Sequence, residues 1–181
     1  MKKLITVVIL LAAVYTCSAQ VHFTKNGRIS FFSSTPLEDI KADNNQVISV
    51  INTSTGEIQF SLLNNAFHFK KALMEEHFNA EYMESAKYPK STFKGTITNL
   101  ASVNFNTDGT YNVNVSGDLT VHGVTKKIVA TGTIKITGGK ISATSSFKIK
   151  PKDYNISIQA AVKNNIAETV EVTISCQYEK K

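Results

Sequence analysis

The chain has 181 residues, with 20 lysine and arginine residues against 14 acidic ones, giving a formal net charge of +6. A nucleic-acid-binding surface gathers basic residues on one face among aromatic residues, whereas here they are scattered over many segments, so no nucleic-acid partner is indicated. Of the two cysteines, only Cys176 would remain once an N-terminal leader is removed, which excludes an internal disulfide and a multi-thiolate zinc site.

The N-terminus has the features of an export signal. Two lysines precede the apolar run Leu4–Val14, and small residues lead up to Ala19. This pattern predicts a signal peptide over residues 1–19 that is cleaved after Ala19. The apolar run is too short for a permanent membrane anchor, so no integral membrane span is expected. Residues 20–181 are predicted to form a single domain.

The leader allows one alternative, because Cys17 could be the acylated residue of a lipoprotein signal. Such signals place small residues immediately before the cysteine, whereas Tyr15 and Thr16 stand there in this chain. The sequence therefore favours an ordinary signal peptide over lipidation, and we expect a periplasmic or secreted protein after cleavage.

The first predicted elements of the mature chain are strands. Residues 27–34 form one predicted strand, and residues 47–52 and 57–63 form two more. The last two flank the sequence Thr-Ser-Thr-Gly at 53–56, which is typical of a turn.

Residues 69–89 lack the period-two pattern and are rich in Ala, Leu, Met, Glu and Lys, which are good helix formers. Pro89 ends the segment. The composition predicts one or two short helices near residues 70–86, inserted into a chain that otherwise forms strands.

Alternating apolar and polar residues dominate the second half of the chain. Residues 92–98 and 101–105 are predicted strands, and residues 111–121 alternate so that the odd positions share one apolar face. The alternation resumes at 128–136 and continues, after the turn at 137–140, through two further strands at 141–149 and 170–178. A sheet of this many antiparallel strands is expected to close into an all-β barrel or to fold into a sandwich.

Two segments resemble a known family. The sequence SGDLTVHGVTKKI at 116–128 is similar to the hallmark hairpin of the YceI-like, polyisoprenoid-binding family, and residues 73–95 are similar to its helical segment. The stretches 52–60 and 147–158 fall in the family order. The resemblance implies an exported, lipocalin-like antiparallel barrel with an elongated apolar cavity for long isoprenoid chains, such as quinone tails or polyprenyl lipids.

The helical segment departs from the family pattern. Phe78 follows His77 where the family usually has Leu, and Tyr82-Met83 stands between Glu81 and Glu84 in place of an aromatic pair. These differences leave the identity and length of the ligand open.

The resemblance and the strand parity together give candidate ligand-binding residues for the cavity wall. In the strand 111–121, the intervening residues are Asn, Ser, Asp and Thr, which need water, so the odd positions should face inward. The alternative is that the same side chains pack a solid core. The predicted wall residues are Phe31, Phe60, Phe69, Met74, Phe78, Phe93, Val113, Val115, Leu119, Val121, Ile134, Phe147 and Ile174.

His122 is the first candidate for a catalytic role. A general base needs an orienting acid within hydrogen-bond reach, and the acid on its own strand face, Asp118, would lie about 13 Å away at ~3.3 Å per residue. We therefore interpret His122 as the corner of a hairpin, where Gly123 supplies unusual backbone angles and the ring bonds to backbone.

A metal site is the second alternative. On a helix, His77 and Glu81 are four residues apart and could share a metal ion, with His68 as a third ligand. No second histidine-rich motif supports this, so we favour a charged helix surface and predict neither a metal nor a cofactor.

These observations predict an exported, non-enzymatic protein that carries an isoprenoid or another long-chain lipid in its barrel. One alternative is a solid-core structural or stress-related protein. Another is a hydrolase or isomerase that uses His122 or His77. A homodimer is left open.

Overall fold

The computed structural model describes residues 20–180, which form nine strands, all paired antiparallel. The predicted signal peptide and the possible lipidation site at Cys17 lie outside the described residues, so both stay predictions. The strands are β1 (Val21–Ser34), β2 (Asp39–Asn52), β3 (Glu57–Leu63), β4 (His68–Phe69), β5 (Lys90–Ile97), β6 (Gly109–Val121), β7 (Val124–Thr137), β8 (Lys140–Ile149) and β9 (Val170–Lys180).

Eight of these strands close into a barrel. They are hydrogen-bonded in the order β1, β9, β8, β7, β6, β5, β3, β2, and β2 pairs back to β1. The two-residue strand β4 lies beside β2. Because closure leaves no long free edge, the alternating strands can all turn one face inward. The predicted lipocalin-like antiparallel barrel is therefore confirmed, and the sandwich is not formed.

The helical insertion lies where the composition predicts it. Helix α1 spans Ala72–His77 and continues directly into a π-helical turn over Phe78–Tyr82. The helix ends where Glu84 takes a positive φ of 43°, which a continuing helix does not allow.

One predicted strand is wrong. Residues 101–105 form no strand; a 3-10 turn over Leu100–Ser102 leads into a loop instead. The reason is Asn99, whose Nδ2 donates to the Asn112 carbonyl at 3.0 Å and whose Oδ1 accepts from the Asn114 amide at 2.7 Å. These side-chain bonds occupy the β6 backbone groups that another strand would need.

The loop that follows this 3-10 turn covers one end of the barrel. The other 3-10 turns span Asn64–Ala66, Pro151–Tyr154 and Ala160–Val162.

The first two strands begin earlier than predicted, at Val21 and Asp39. In β1, the pairing with β2 shifts register between Thr24 and Gly27, a β-bulge that breaks the period-two pattern. In β2, residues 41–46 are mostly polar, so no alternation of apolar and polar residues can be recognised in this part of the sequence.

One end of the barrel is filled by a packed core. Its members are deeply buried branched side chains from several strands, with Tyr178 and Cys176 from β9. Leu100, Val103 and Phe105 pack against this cluster from the covering loop. This end, called here the closed end, therefore has the close packing of a protein interior.

Cys176 gives a direct test of the closed end. Burial raises the pKa of its thiol to about 11, so the group is a neutral thiol at pH 8. We expect no reaction with a maleimide at pH 8 in the folded protein and complete reaction in denaturant, followed by mass spectrometry. Rapid labelling of folded protein would contradict the packed closed end.

Candidate functional site: the barrel cavity

The barrel is hollow beyond the closed end. A cavity of about 540 Å³ runs through its interior, within the range of about 300–1,000 Å³ that is usual for small-molecule sites. Several side chains that point into it, including Val115, Leu119 and Phe147, are only half-buried because they face empty space and not other side chains. The solid-core alternative therefore does not describe this structure.

The structure brings all thirteen predicted wall residues together around this cavity. They come from β1, β3, β4, β5, β6, β7, β8, β9 and the helical insertion, so closure of the barrel is what makes them neighbours. Their contact with a ligand stays a prediction.

Sequence reasoning missed other wall residues. Ile128 and Ala130 share the inward face of β7, and their alternation was a usable signal. Ile156, Ile158 and Val162 also line the cavity, but they lie in a loop without regular periodicity. Nothing in their spacing indicates that this loop folds over the barrel.

Four phenylalanines form a cluster on the cavity wall near α1. Phe78 lies 5.0 Å from Phe69, 5.5 Å from Phe31 and 5.6 Å from Phe67 between ring centroids. Phe31 also contacts Phe67 and Phe69 at 5.3 and 5.6 Å. These separations are typical of packed aromatic pairs, so the rings form a continuous apolar wall that joins the helical insertion to β1.

The polar groups along the wall already have partners inside the protein. The Asn64 amide donates to the Tyr88 carbonyl at 2.6 Å and accepts from the Ser91 hydroxyl at 2.8 Å. The Ser33 hydroxyl accepts from the Ala167 amide at 2.8 Å. Among residues 20–180, every buried side-chain nitrogen and oxygen has a hydrogen-bond partner. The surface that the cavity offers to a ligand is therefore mostly apolar.

The cavity reaches the surface beside α1, at a place called here the mouth. Leu73 lines the cavity and is nevertheless 63% exposed, which marks the opening. Across the mouth, Lys71 Nζ lies 2.8 Å from Glu38 Oε1, and Asn165 Nδ2 donates to Glu38 Oε2 at 3.3 Å. The hydrogen bonds from Lys71 and then from Asn165 lower the pKa of the Glu38 carboxyl, so it is a carboxylate at neutral pH.

His122 has an acidic partner, contrary to the prediction. Its Nε2 lies 2.8 Å from Glu84 Oε2, and its Nδ1 lies 3.1 Å from the carbonyl oxygen of Tyr154. Glu84 comes from the end of the helical insertion, 38 positions away, so strand geometry alone could not reveal the pair.

The interpretation of His122 as a hairpin corner is nevertheless correct. His122 and Gly123 both have positive φ, at 50° and 72°, as a tight turn between two strands requires. Over the described residues, His122 is not part of the cavity wall. The ring is 8% exposed and links the hairpin, the helical insertion and the Pro151–Tyr154 turn.

Replacing His122 by Ala is expected to destabilise the fold by about 1–3 kcal/mol, since it leaves the Tyr154 carbonyl without its side-chain partner and removes the shorter of the two ion-pair contacts of Glu84, which keeps Lys87 at 3.8 Å. Equilibrium affinity for an apolar ligand should change less than threefold, because the ring does not face the cavity. Denaturant melts and probe titrations on the same variant test both statements. A hundredfold loss of affinity with unchanged stability would contradict this assignment.

The proposed metal ligands do not come together. His77 Nδ1 lies 3.6 Å from Glu81 Oε1, and His68 Nδ1 lies 3.5 Å from Glu75 Oε2, so the two histidines belong to separate pairs. In the part of the chain that the structure describes, no group of three metal-ligating side chains is found.

Within residues 20–180, no helix has the length and apolar character needed to cross a bilayer.

Solved structures share this fold. A polyisoprenoid binding domain from Saccharophagus degradans, implicated in plant cell wall breakdown, superposes with a TM-score of 0.76 at 19% identity, covering 90% of this chain and 99% of that one. BcnA from Burkholderia cenocepacia gives a TM-score of 0.70 at 14% identity, covering 84% and 96% of the two chains. At these identities, the likeness concerns the fold alone.

Sequence relatives point the same way. The protein YceI from Escherichia coli O17:K52:H18 is 28% identical over 112 residues, and a UPF0312 protein from Enterobacter sp. (strain 638) is 29% identical over the same length. Each match covers 58% of this chain and 54% of the relative, so it spans about half the length of those proteins. The model of the YceI-like domain matches residues 13–178, and the chain therefore belongs to the YceI-like domain family.

Proposed function

We propose that the protein is a non-enzymatic carrier that holds a long apolar lipid of isoprenoid type inside its barrel. The observation that carries this proposal is the cavity of about 540 Å³, whose wall is apolar and whose buried polar atoms are all bonded within the protein. An apolar ligand loses nothing in such a site, whereas a polar one would lose hydrogen bonds to water.

The shape of the cavity favours a chain over a compact molecule. Its wall runs from Leu73 and Met74 at the mouth to Ile97 and Val113 near the closed end. The Saccharophagus degradans domain with the same fold is described as polyisoprenoid binding, which supports the same ligand class here.

Burial supplies the binding energy. Each methylene group removed from water contributes about 0.8 kcal/mol, so ten such groups contribute about 8 kcal/mol. The ordering of a flexible chain subtracts from that sum. A lipid long enough to fill the cavity therefore binds more tightly than a short one.

The position of the histidines supports carriage over catalysis. His122 is bonded to Glu84 and to the Tyr154 carbonyl and does not face the cavity, so it is not placed to act on a ligand there. His77 lies at the mouth and is paired with Glu81. A general base must reach the proton that it abstracts, and the deep wall has no such group.

We propose in addition that the protein is exported. The sequence of residues 1–19 supports a signal peptide, and we place the mature protein in the periplasm or outside the cell. N-terminal sequencing of the protein from its source should begin at Gln20. A sequence that begins at Met1, or a lipidated Cys17, would contradict this placement.

A displacement titration tests the ligand class. A fluorescent apolar probe such as N-phenyl-1-naphthylamine is bound first and then displaced by isoprenoid alcohols of increasing length. We expect affinity to rise with each added isoprene unit until the cavity is filled and to level off afterwards. Failure of the longer alcohols to displace the probe, or equal affinity at all lengths, would contradict an isoprenoid carrier.

A further inference from the structure

Residues 71–84, called here the strap, form one side of the cavity mouth. The strap contains α1 and the π-helical turn, and its Leu73, Met74 and Phe78 line the cavity. Phe78 also closes the aromatic cluster against β1. Movement of this segment would widen the mouth for a ligand that is too broad for the existing opening.

Polar bonds fix the strap to the rest of the barrel near both of its ends. At its start, Lys71 bonds to Glu38 at 2.8 Å, and Glu75 Oε2 accepts from the Phe69 amide of β4 at 3.1 Å. Near its end, Glu81 accepts from Gln159 Nε2 at 2.8 Å, and Glu84 bonds to His122 at 2.8 Å. The Lys71–Glu38 and Glu81–Gln159 bonds are exposed to solvent, whereas the Glu84–His122 bond involves a buried ring.

We propose that the strap is the gate of the cavity and that it opens from its Lys71 end while the Glu84–His122 bond holds the other end. The proposal rests on the proposed function, since a gate matters only if the cavity receives a ligand. The opening motion breaks the Lys71–Glu38 pair and withdraws Phe78 from its aromatic neighbours, and the incoming apolar chain then replaces the lost ring contacts.

The difference between the two ends determines which of them moves. An exposed ion pair between long side chains is weak, because water and salt screen its charges. The Lys71–Glu38 pair is of this kind. The His122 end is supported in addition by the buried cluster of Met83, Val121 and Tyr154, two of which are chain neighbours of Glu84 and His122. The Lys71 end is therefore easier to release.

The backbone of the strap favours local movement. The turn over Phe78–Tyr82 is π-helical, with the Met83 amide bonded to the Phe78 carbonyl at 2.8 Å, and such turns are rare in helices and often found at functional sites. The residues of α1 have no side-chain cap at their N-terminus, since Lys71 in the capping position makes no such bond. The strap can therefore fray from its first turn.

A charge swap tests the gate. Lys71→Glu breaks the pair and places two carboxylates together, while the double variant Glu38→Lys/Lys71→Glu restores an ion pair with reversed polarity. Lys70→Glu is the matched control, because Lys70 is a neighbouring exposed lysine that does not line the cavity. Stopped-flow release of N-phenyl-1-naphthylamine is measured for each variant at low and high salt.

We expect Lys71→Glu to release the probe about three- to fivefold faster than the parent protein, the swap to return the rate to within about twofold, and Lys70→Glu to leave it unchanged. High salt should accelerate release from the parent protein. Equal release rates for the single variant and the swap would overturn the proposal. A larger acceleration from His122→Ala than from Lys71→Glu would also overturn it, because the moving end would then be the other one.

Hydrogen exchange tests the gate without a ligand. It can therefore be measured even if no variant binds the probe, although that failure to bind would count against the carrier function. The amides of Met74 and Glu75 both bond to the Lys71 carbonyl in the first turn of the strap. We expect Lys71→Glu to speed their exchange about three- to fivefold and the swap to restore protection. Unchanged exchange in Lys71→Glu would overturn the proposal independently of any ligand.

Discussion

Replacing Val115 by Trp is expected to lower the affinity for an apolar probe by at least about a hundredfold while changing the stability of the barrel by less than about 1 kcal/mol. Val115 lies opposite Ala130 on β7, and both side chains face the cavity. An indole at this point fills empty space that the ligand would occupy, so it blocks the site without overpacking a core. Probe titration and denaturant melts on the same variant measure both effects.

Two matched variants separate occlusion from damage. Val129→Trp places the same ring on the outer face of β7, where Val129 is 75% exposed, and should change neither binding nor stability. Ile134→Trp places it in the packed core, where Ile134 is 1% exposed, and should cost about 1–3 kcal/mol through overpacking. Normal probe binding by folded Val115→Trp would mean that the ligand does not occupy the cavity.

Replacing Phe78 by Ala is expected to destabilise the protein by about 3 kcal/mol, the largest stability loss foreseen for a single wall residue. Phe78 makes ring contacts with Phe31, Phe67 and Phe69, and the truncation removes all three at once. It also detaches the strap from β1 on its apolar side. Denaturant unfolding at equilibrium gives the change in free energy.

Phe32→Ala is the control for this loss. Phe32 follows Phe31 on β1 but points outward and is 40% exposed, so its removal should cost less than about 1 kcal/mol. Similar losses for both variants would show that the aromatic cluster contributes no special stability and that the strap is held by its polar bonds alone.

The strands that carry strict alternation could be predicted from the sequence. In β6, the odd positions from Val113 to Val121 are apolar and the intervening ones polar, and the structure places the apolar set inward. Period two determines which face is buried, because a shift of one residue would turn every polar side chain inward. Where polar residues or bulges interrupt this pattern, as in the early part of β1, the strand predicted from the sequence is shorter than the observed one.

Contacts between distant segments could not be predicted in the same way. The Glu84–His122 bond joins a helical end to a hairpin, and the sequence contains no periodicity that relates the two. The Asn99 side chain bonds to the β6 backbone groups that a neighbouring strand would otherwise use, and strand propensity does not predict such a bond. Both features depend on the closed barrel that brings them together.

The hollow interior could not be predicted from the period-two pattern either. The inward positions of a strand are apolar both in a packed barrel and in a hollow one, so the pattern is the same in the two cases. A hollow barrel differs from a packed one in the sizes of its inward side chains. Ala130 on β7 and Ala143 on β8 occupy inward positions on the cavity wall. These small side chains leave the room that a packed core would have filled.

Native mass spectrometry of the protein purified gently from its source, without added ligand, tests the carrier function most directly. The account predicts a species whose extra mass is released as a lipid built of isoprene units, and predicts that the Val115→Trp variant purifies without it. Bare protein from both preparations, or a bound lipid retained equally by the Val115→Trp variant, would contradict carriage in the barrel cavity.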